Sequence, residues 1–231
     1  MNSNDVLKMM EKVASDPFFV QFGIKKSDHS IICKSEKGWK QVRFDYYNSY
    51  DRSRDDLALR VRPVYEIRFH ILHKWFEKYC QRSISDQRTD DSIGFTNDMI
   101  GGVEFFFFLE SRKDYNKDLD AMHNEVVKNA KMVFSKFSTL NDIYDFKILP
   151  VIRGEKELPD GSFGWVIEDL ILSRIVAPQD YEIVKKLILE RVDYMYGRKE
   201  PNVEKYYDSL PEIIKDLEET DFTTGKWGKL L

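Results

Sequence analysis

The sequence predicts an α+β fold, a small, mainly antiparallel sheet with helices packed on one face, extended by a helical C-terminal half. Three observations predict it. Leu57, Leu59, Val61, Pro63, Tyr65, Ile67 and Phe69 alternate with Ala58, Arg60, Arg62, Val64, Glu66, Arg68 and His70, the period of a half-buried strand. Two β-rich runs flank Glu36-Lys37-Gly38, the pattern of a hairpin. Leu119, Met122, Val126, Ala130, Val133 and Phe137 recur at helical spacing, so Asn116 to Phe137 reads as an amphipathic helix.

The other elements follow in order. Val6, Leu7, Met10 and Val13 mark a first helix, and Asp16-Pro17 restarts it until Gly23 ends it. The second run of the hairpin puts Val42, Phe44 and Tyr46 on one face and Gln41, Arg43 and Asp45 on the other. Pro63 cannot donate to a ladder, so the long strand is expected at an edge or bulged there. After Phe69 the spacing turns helical, with Leu72, Trp75, Phe76 and Tyr79 on one face. Residues 81–95 are polar and read as a loop, and "VEFFFFL" at 103–109 reads as a central, covered strand. The segment "FKILPVIRGEKELPDGSFGW" reads as an extended run and a Pro-Asp-Gly turn. Val166, Ile167, Leu170, Ile171 and Ile175 against Glu168, Asp169 and Ser173 give a helix with a polar side. Asp180 to Gly197 is a further helix, and Ser209 with Glu212 has capping-box spacing before the last one. The whole reads as one composite domain, 1–231, with an α+β sheet portion at 1–112 and a mainly helical portion at 113–231.

Composition narrows the function classes. The chain has 231 residues, 42% hydrophobic, with a formal net charge of −4. That balance argues against general nucleic-acid binding, which needs a basic excess. Charge is uneven: residues 37–82 hold 11 basic and 6 acidic residues, a local +5, and residues 180–221 hold 7 basic and 12 acidic, a local −5. Such polarity reads as solvated faces that partly neutralise each other in the fold, with a polarised surface for a partner as the alternative. Cys33 and Cys80 are too few for a zinc framework or a disulfide scaffold and read as buried free thiols in a reducing cytoplasm. The N-terminus lacks the basic start and apolar run of a secretory signal, and no apolar run approaches the roughly 20 residues of a membrane helix.

No glycine-rich phosphate loop and no Gly-x-Ser-x-Gly elbow occurs, so no catalytic residue and no cofactor are assigned. Glu66, His70, His73 and Glu77 form no single metal-binding helical stripe, because the strand is expected to run to Phe69; they read as a polar, solvated side, with no metal required. Asp98, Glu104, Glu110 and Arg112 loosely resemble the metal-dependent nuclease superfamily, but Arg112 stands where a lysine is wanted, and a guanidinium stays protonated. The binding residues singled out are Arg43, Arg60, Arg62 and Arg68, whose planar forks on one sheet face suit carboxylate or phosphate groups. The competing reading pairs them with Asp45, Glu66 or Glu104.

The stretch "FGIKKSDHSIICKSEKGWKQVRFDYYNSYD" resembles an uncharacterised bacterial family of small α+β domains over about residues 7–80. Ile24 stands where that family commonly has an aromatic residue. Some relatives look like immunity proteins for contact-dependent toxins, so the resemblance implies a protein partner. The expected function is therefore a non-enzymatic, cytoplasmic protein-binding module. The alternatives are a metal-dependent hydrolase using the carboxylates around 103–109 and an anion or small-ligand binder using the arginines.

Overall fold

The computed structural model of the chain describes residues 3–51, 56–80, 83, 87–103, 105–108, 115–157, 163–200 and 203–231. They divide into two compact units, Met1–Arg68 with Ile93–Lys136 (unit 1) and Phe69–Ser92 with Phe137–Leu231 (unit 2). The architecture is α+β: unit 1 carries a six-stranded sheet and the C-terminal half of the chain is helical.

In unit 1, helix α1 (Ser3–Ala14) buries Val6, Met9, Met10 and Val13, one face of a 3.6-residue period. Asp16 accepts a hydrogen bond from the Phe18 N–H at 2.8 Å, yet it starts only a single 3-10 turn, Pro17–Phe19. The expected second helix is not formed. Phe18 and Phe22 instead stack on Phe134, at centroid distances of 6.4 and 6.0 Å, and Gly23 opens strand β1 (Gly23–Lys25).

Strands β2 (Ser30–Lys34), β3 (Gly38–Asp51), β4 (Asp56–Phe69) and β5 (Ile93–Thr96) follow β1 in sheet order, and β6 (Phe105–Phe108) also pairs with β4. The hairpin is present, with Ile31 opposite Val42. β4 is internal, not an edge. Its first half pairs with β6, from Ala58 opposite Phe108 to Val61 opposite Phe105, and its second half with β5, from Val64 opposite Thr96 to Ile67 opposite Ile93. Pro63 falls between the two pairings, where one partner strand gives way to the next, so its missing N–H interrupts neither ladder.

The odd residues Leu59, Val61, Tyr65 and Ile67 are buried as the alternation requires, but Ala58, Val64, Glu66 and Arg68 on the other face are buried too. β4 is thus more enclosed than a half-buried strand. β6 departs the other way: Phe105 and Phe107 are buried, whereas Phe106 is exposed, so the strand is not covered on both faces. The end of the expected 81–95 loop is strand β5.

Helix α2 (His70–Phe76) begins where β4 stops. Helix α3 (Tyr115–Lys136) packs on α1 and β6 through its predicted stripe, with Met122, Val126, Ala130 and Val133 buried. Asn97 ties this layer together. Its Oδ1 accepts from the Tyr65 hydroxyl and the Asn129 amide, both at 2.9 Å, and its Nδ2 donates to the Val103 carbonyl at 2.7 Å and Glu125 Oε1 at 2.6 Å. Every polar group of the buried amide is used.

Unit 2 is built around helix α6 (Phe163–Val176), which packs against α2, α4 (Leu140–Lys147), α7 (Tyr181–Gly197) and α9 (Leu210–Glu219). A helix with neighbours on all sides is apolar nearly all round, and Val166 to Ser173 are buried without a break. The expected polar side at Glu168, Asp169 and Ser173 is therefore inside the core. The "FKILP" segment is helical, not extended: Thr139 caps α4 through a capping box, and Pro150 occupies the first turn of α5 (Leu149–Ile152), where its missing N–H costs no bond. The expected Pro-Asp-Gly turn lies outside the described residues. Helix α8 (Glu204–Tyr207) stacks Tyr206 on Phe163 at 4.6 Å. Ser209 precedes α9 but makes no side-chain capping bond.

Both cysteines are free and partly exposed, not buried. Among the described residues no helix is long and apolar enough to cross a membrane.

Candidate functional site

Alternation along β3 and β4 sends Gln41, Arg43, Asp45 and Tyr47 to the same sheet face as Arg60, Arg62, Glu66 and Arg68. Phe106 joins them because it lies directly opposite Arg60 across β6 and β4. At one end of this face Gln41, Glu66 and Arg68 are buried. Glu66 accepts from Gln41 Nε2 at 2.6 Å and from Arg43 Nη2 at 2.9 Å. Arg43 also bonds Asp45, whose second oxygen lies 3.6 Å from Arg62 Nη2. Burial pulls the Arg43 guanidinium down, and Glu66 and Asp45 more than offset it, so its pKa rises above the ordinary arginine value.

The other end of the face opens to solvent. The Arg60 guanidinium carbon sits 5.0 Å from the Tyr47 ring centroid and 4.8 Å from that of Phe106, held between two rings that are 45% and 38% exposed. The four predicted arginines thus share one face but not one environment. Arg43 and Arg62 are paired with acids, Arg68 is buried, and Arg60 is clasped by aromatic rings. In "DYYNSY" Tyr47 and Tyr50 are exposed. That Tyr47 and Phe106 would both reach Arg60 was not legible in the sequence, because Phe106 comes from a strand 59 positions after Tyr47.

Of the carboxylates weighed for a metal, Asp98 is exposed beside Arg62, whereas Glu104, Glu110 and Arg112 lie outside the described residues. Among the described residues no group of three or more His, Cys, Asp or Glu side chains is placed to hold a metal ion. The expectation of a solvated Glu66, His70, His73 and Glu77 side fails at two positions. Glu66 is buried by its pairing with Gln41 and Arg43, and His73 is buried on α2.

His73 belongs to a second polar cluster, inside unit 2, that sequence reasoning missed. Its Nδ1 lies 2.8 Å from Glu168 Oε1 and its Nε2 2.9 Å from Ser92 Oγ, which also accepts the Phe69 N–H at 3.0 Å. Beside Glu168, burial pushes the Asp169 carboxyl up and Lys147 only partly counters it. Lys147 loses by burial and gains more from Asp169, Glu168 and Asp91, ending above the ordinary lysine value. The available signal was two adjacent acids in the middle of an otherwise apolar helix, since a buried acid requires a partner.

Compared with protein-family models, curated proteins and solved structures, the chain matches none.

Proposed function

We propose that the unit 1 sheet face is a non-enzymatic protein-binding surface that holds one acidic protein partner on its open end. The observation that carries this reading is the clasp of Arg60 between the exposed rings of Tyr47 and Phe106. Arginine and aromatic residues dominate binding hot spots, and a guanidinium fixed between two rings has less rotamer freedom left to lose on association. The unit 1 residues 37–68 hold 8 basic and 5 acidic residues, a local +3 that fits a partner presenting carboxylates. The resemblance over residues 7–80 points the same way, since it implies a toxin-type protein as the partner. Free thiols suit a reducing compartment such as the cytoplasm.

The test starts with native mass spectrometry of the protein purified gently from its own host. A second polypeptide bound one to one is then titrated against wild type, Tyr47→Ala, Arg60→Ala and Phe106→Ala. Each variant is expected to weaken binding about tenfold or more. A partner that binds all three variants as tightly as wild type, or a chain recovered only as a bare monomer, overturns the reading.

A further inference from the structure

Ser92, His73 and Glu168 stand in hydroxyl, imidazole, carboxylate order, with separations of 2.9 and 2.8 Å. All three are buried, and Ser92 is 5% exposed. Apolar residues of similar volume at such positions are commonly as stabilising as a buried charged set, so stability alone does not call for this order. Its hydrogen bonding is also directional. The Glu168 carboxylate can only accept, so it holds the proton of neutral His73 on Nδ1. Nε2 is then left with a lone pair for the Ser92 hydroxyl proton. This is the arrangement that activates a serine.

We propose that Ser92 and His73 are the nucleophile and base of an acyl-transfer site in unit 2, independent of the binding face, with Glu168 as the positioning residue. Its substrates are small activated esters, because a serine only 5% exposed excludes long acyl chains. Ser92 Oγ attacks the ester carbonyl carbon while its proton passes to His73 Nε2. The resulting imidazolium is held by Glu168. The tetrahedral adduct then collapses, the bond from carbon to the leaving oxygen breaks, and the departing alcohol takes the proton from Nε2. Water repeats the sequence on the acyl-serine with His73 as base, which releases the carboxylic acid and restores the hydroxyl. The balance is ester plus water to acid plus alcohol.

The test exposes the full chain to methanesulfonyl fluoride, in which Ser92 Oγ displaces fluoride from sulfur, and in parallel to p-nitrophenyl acetate. One sulfonyl adduct that maps to Ser92 by peptide mass spectrometry is expected, together with p-nitrophenol release that the adduct abolishes. In Ser92→Ala the adduct disappears, and in His73→Gln its rate of formation falls about a hundredfold or more. Glu168→Gln slows it about tenfold or more and Glu168→Asp restores most of the rate, which a merely space-filling role would not do. Circular dichroism of each variant separates lost chemistry from lost fold. Should every variant unfold, the adduct map of the wild-type chain still decides. Wild-type protein that stays unmodified, or that is modified only at other residues, overturns the proposal.

Discussion

Lys147 Nζ stands 2.5 Å from Asp169 Oδ1 in the core of unit 2, with Glu168 as a second acid beside the pair. One ammonium therefore serves two neighbouring carboxylates on the same helix. Lys147→Met removes that compensation and is expected to lower unfolding free energy by about 3–5 kcal/mol. Adding Asp169→Leu recovers most of the loss, since the pair together is worth far less than one abandoned member. Urea unfolding of both variants measures this; a single variant costing under about 1 kcal/mol refutes it.

The capping box of α4 gives a dependence on pH. Asp142 Oδ2 accepts the Thr139 N–H at 2.7 Å and the Ser138 N–H at 3.0 Å. The hydrogen bond from the Thr139 side chain leads in holding its carboxyl below the ordinary value of 3.8, against a smaller opposing effect of burial. A carboxyl lowered on folding contributes stability that is fully present above its unfolded value and lost as pH falls through the folded one. Asp142→Ala is expected to cost about 1 kcal/mol at neutral pH, and the gap to wild type should close on acidification below that range. A gap that is constant with pH would show that the carboxylate charge contributes nothing.

Gly102 is confined by its neighbours. A Cβ there would come within 2.5 Å of both Asn97 Nδ2 and Glu125 Oε1, the two groups whose hydrogen bond joins the β5 to β6 connection to α3. Gly102→Ala should therefore destabilise the chain by about 1–3 kcal/mol, with thermal unfolding as the readout. An unchanged melting temperature would mean that the hub yields freely.

Binding and stability should separate at Arg60. Its contacts with Tyr47 and Phe106 are at the exposed end of the face, where each cation–π contact is worth about 0.5–1 kcal/mol. Losing these two contacts in Arg60→Ala is expected to shift unfolding by about 1–2 kcal/mol, while weakening the partner about tenfold or more. Equal losses in both measurements would make Arg60 a residue of the fold alone.

Local pattern was enough to read the hairpin before β3, the length of β4 up to Phe69, the start of α2 at His70 and the stripe of α3. Each of these is written in the period of neighbouring residues. What local pattern missed depends on distant ones. Glu168 and Asp169 read as a solvent side because their partners, His73 and Lys147, come from other helices. Pro63 read as an edge or a bulge because the change of partner from β6 to β5 is set by two strands more than 25 residues away. Phe106 read as covered because only the cross-strand position of Arg60 shows how an exposed phenylalanine is accommodated. The four arginines were placed on the right face by alternation, but which of them meet acids and which meet rings is decided by the strand register.

The two units interleave in the chain: the stretch 69–92 is synthesised between the two halves of unit 1, yet it packs with residues 137–231. During translation the sheet unit is complete once Lys136 has emerged, whereas α2, already made, still lacks its partners from residues 137–231. At typical elongation rates that interval lasts on the order of ten seconds. Throughout it Ile71, Leu72, Trp75 and Phe76, all buried in the finished protein, are exposed on the nascent chain. α2 is thus left open to chaperones and to misassociation, and truncation after Lys136 would make that exposure permanent.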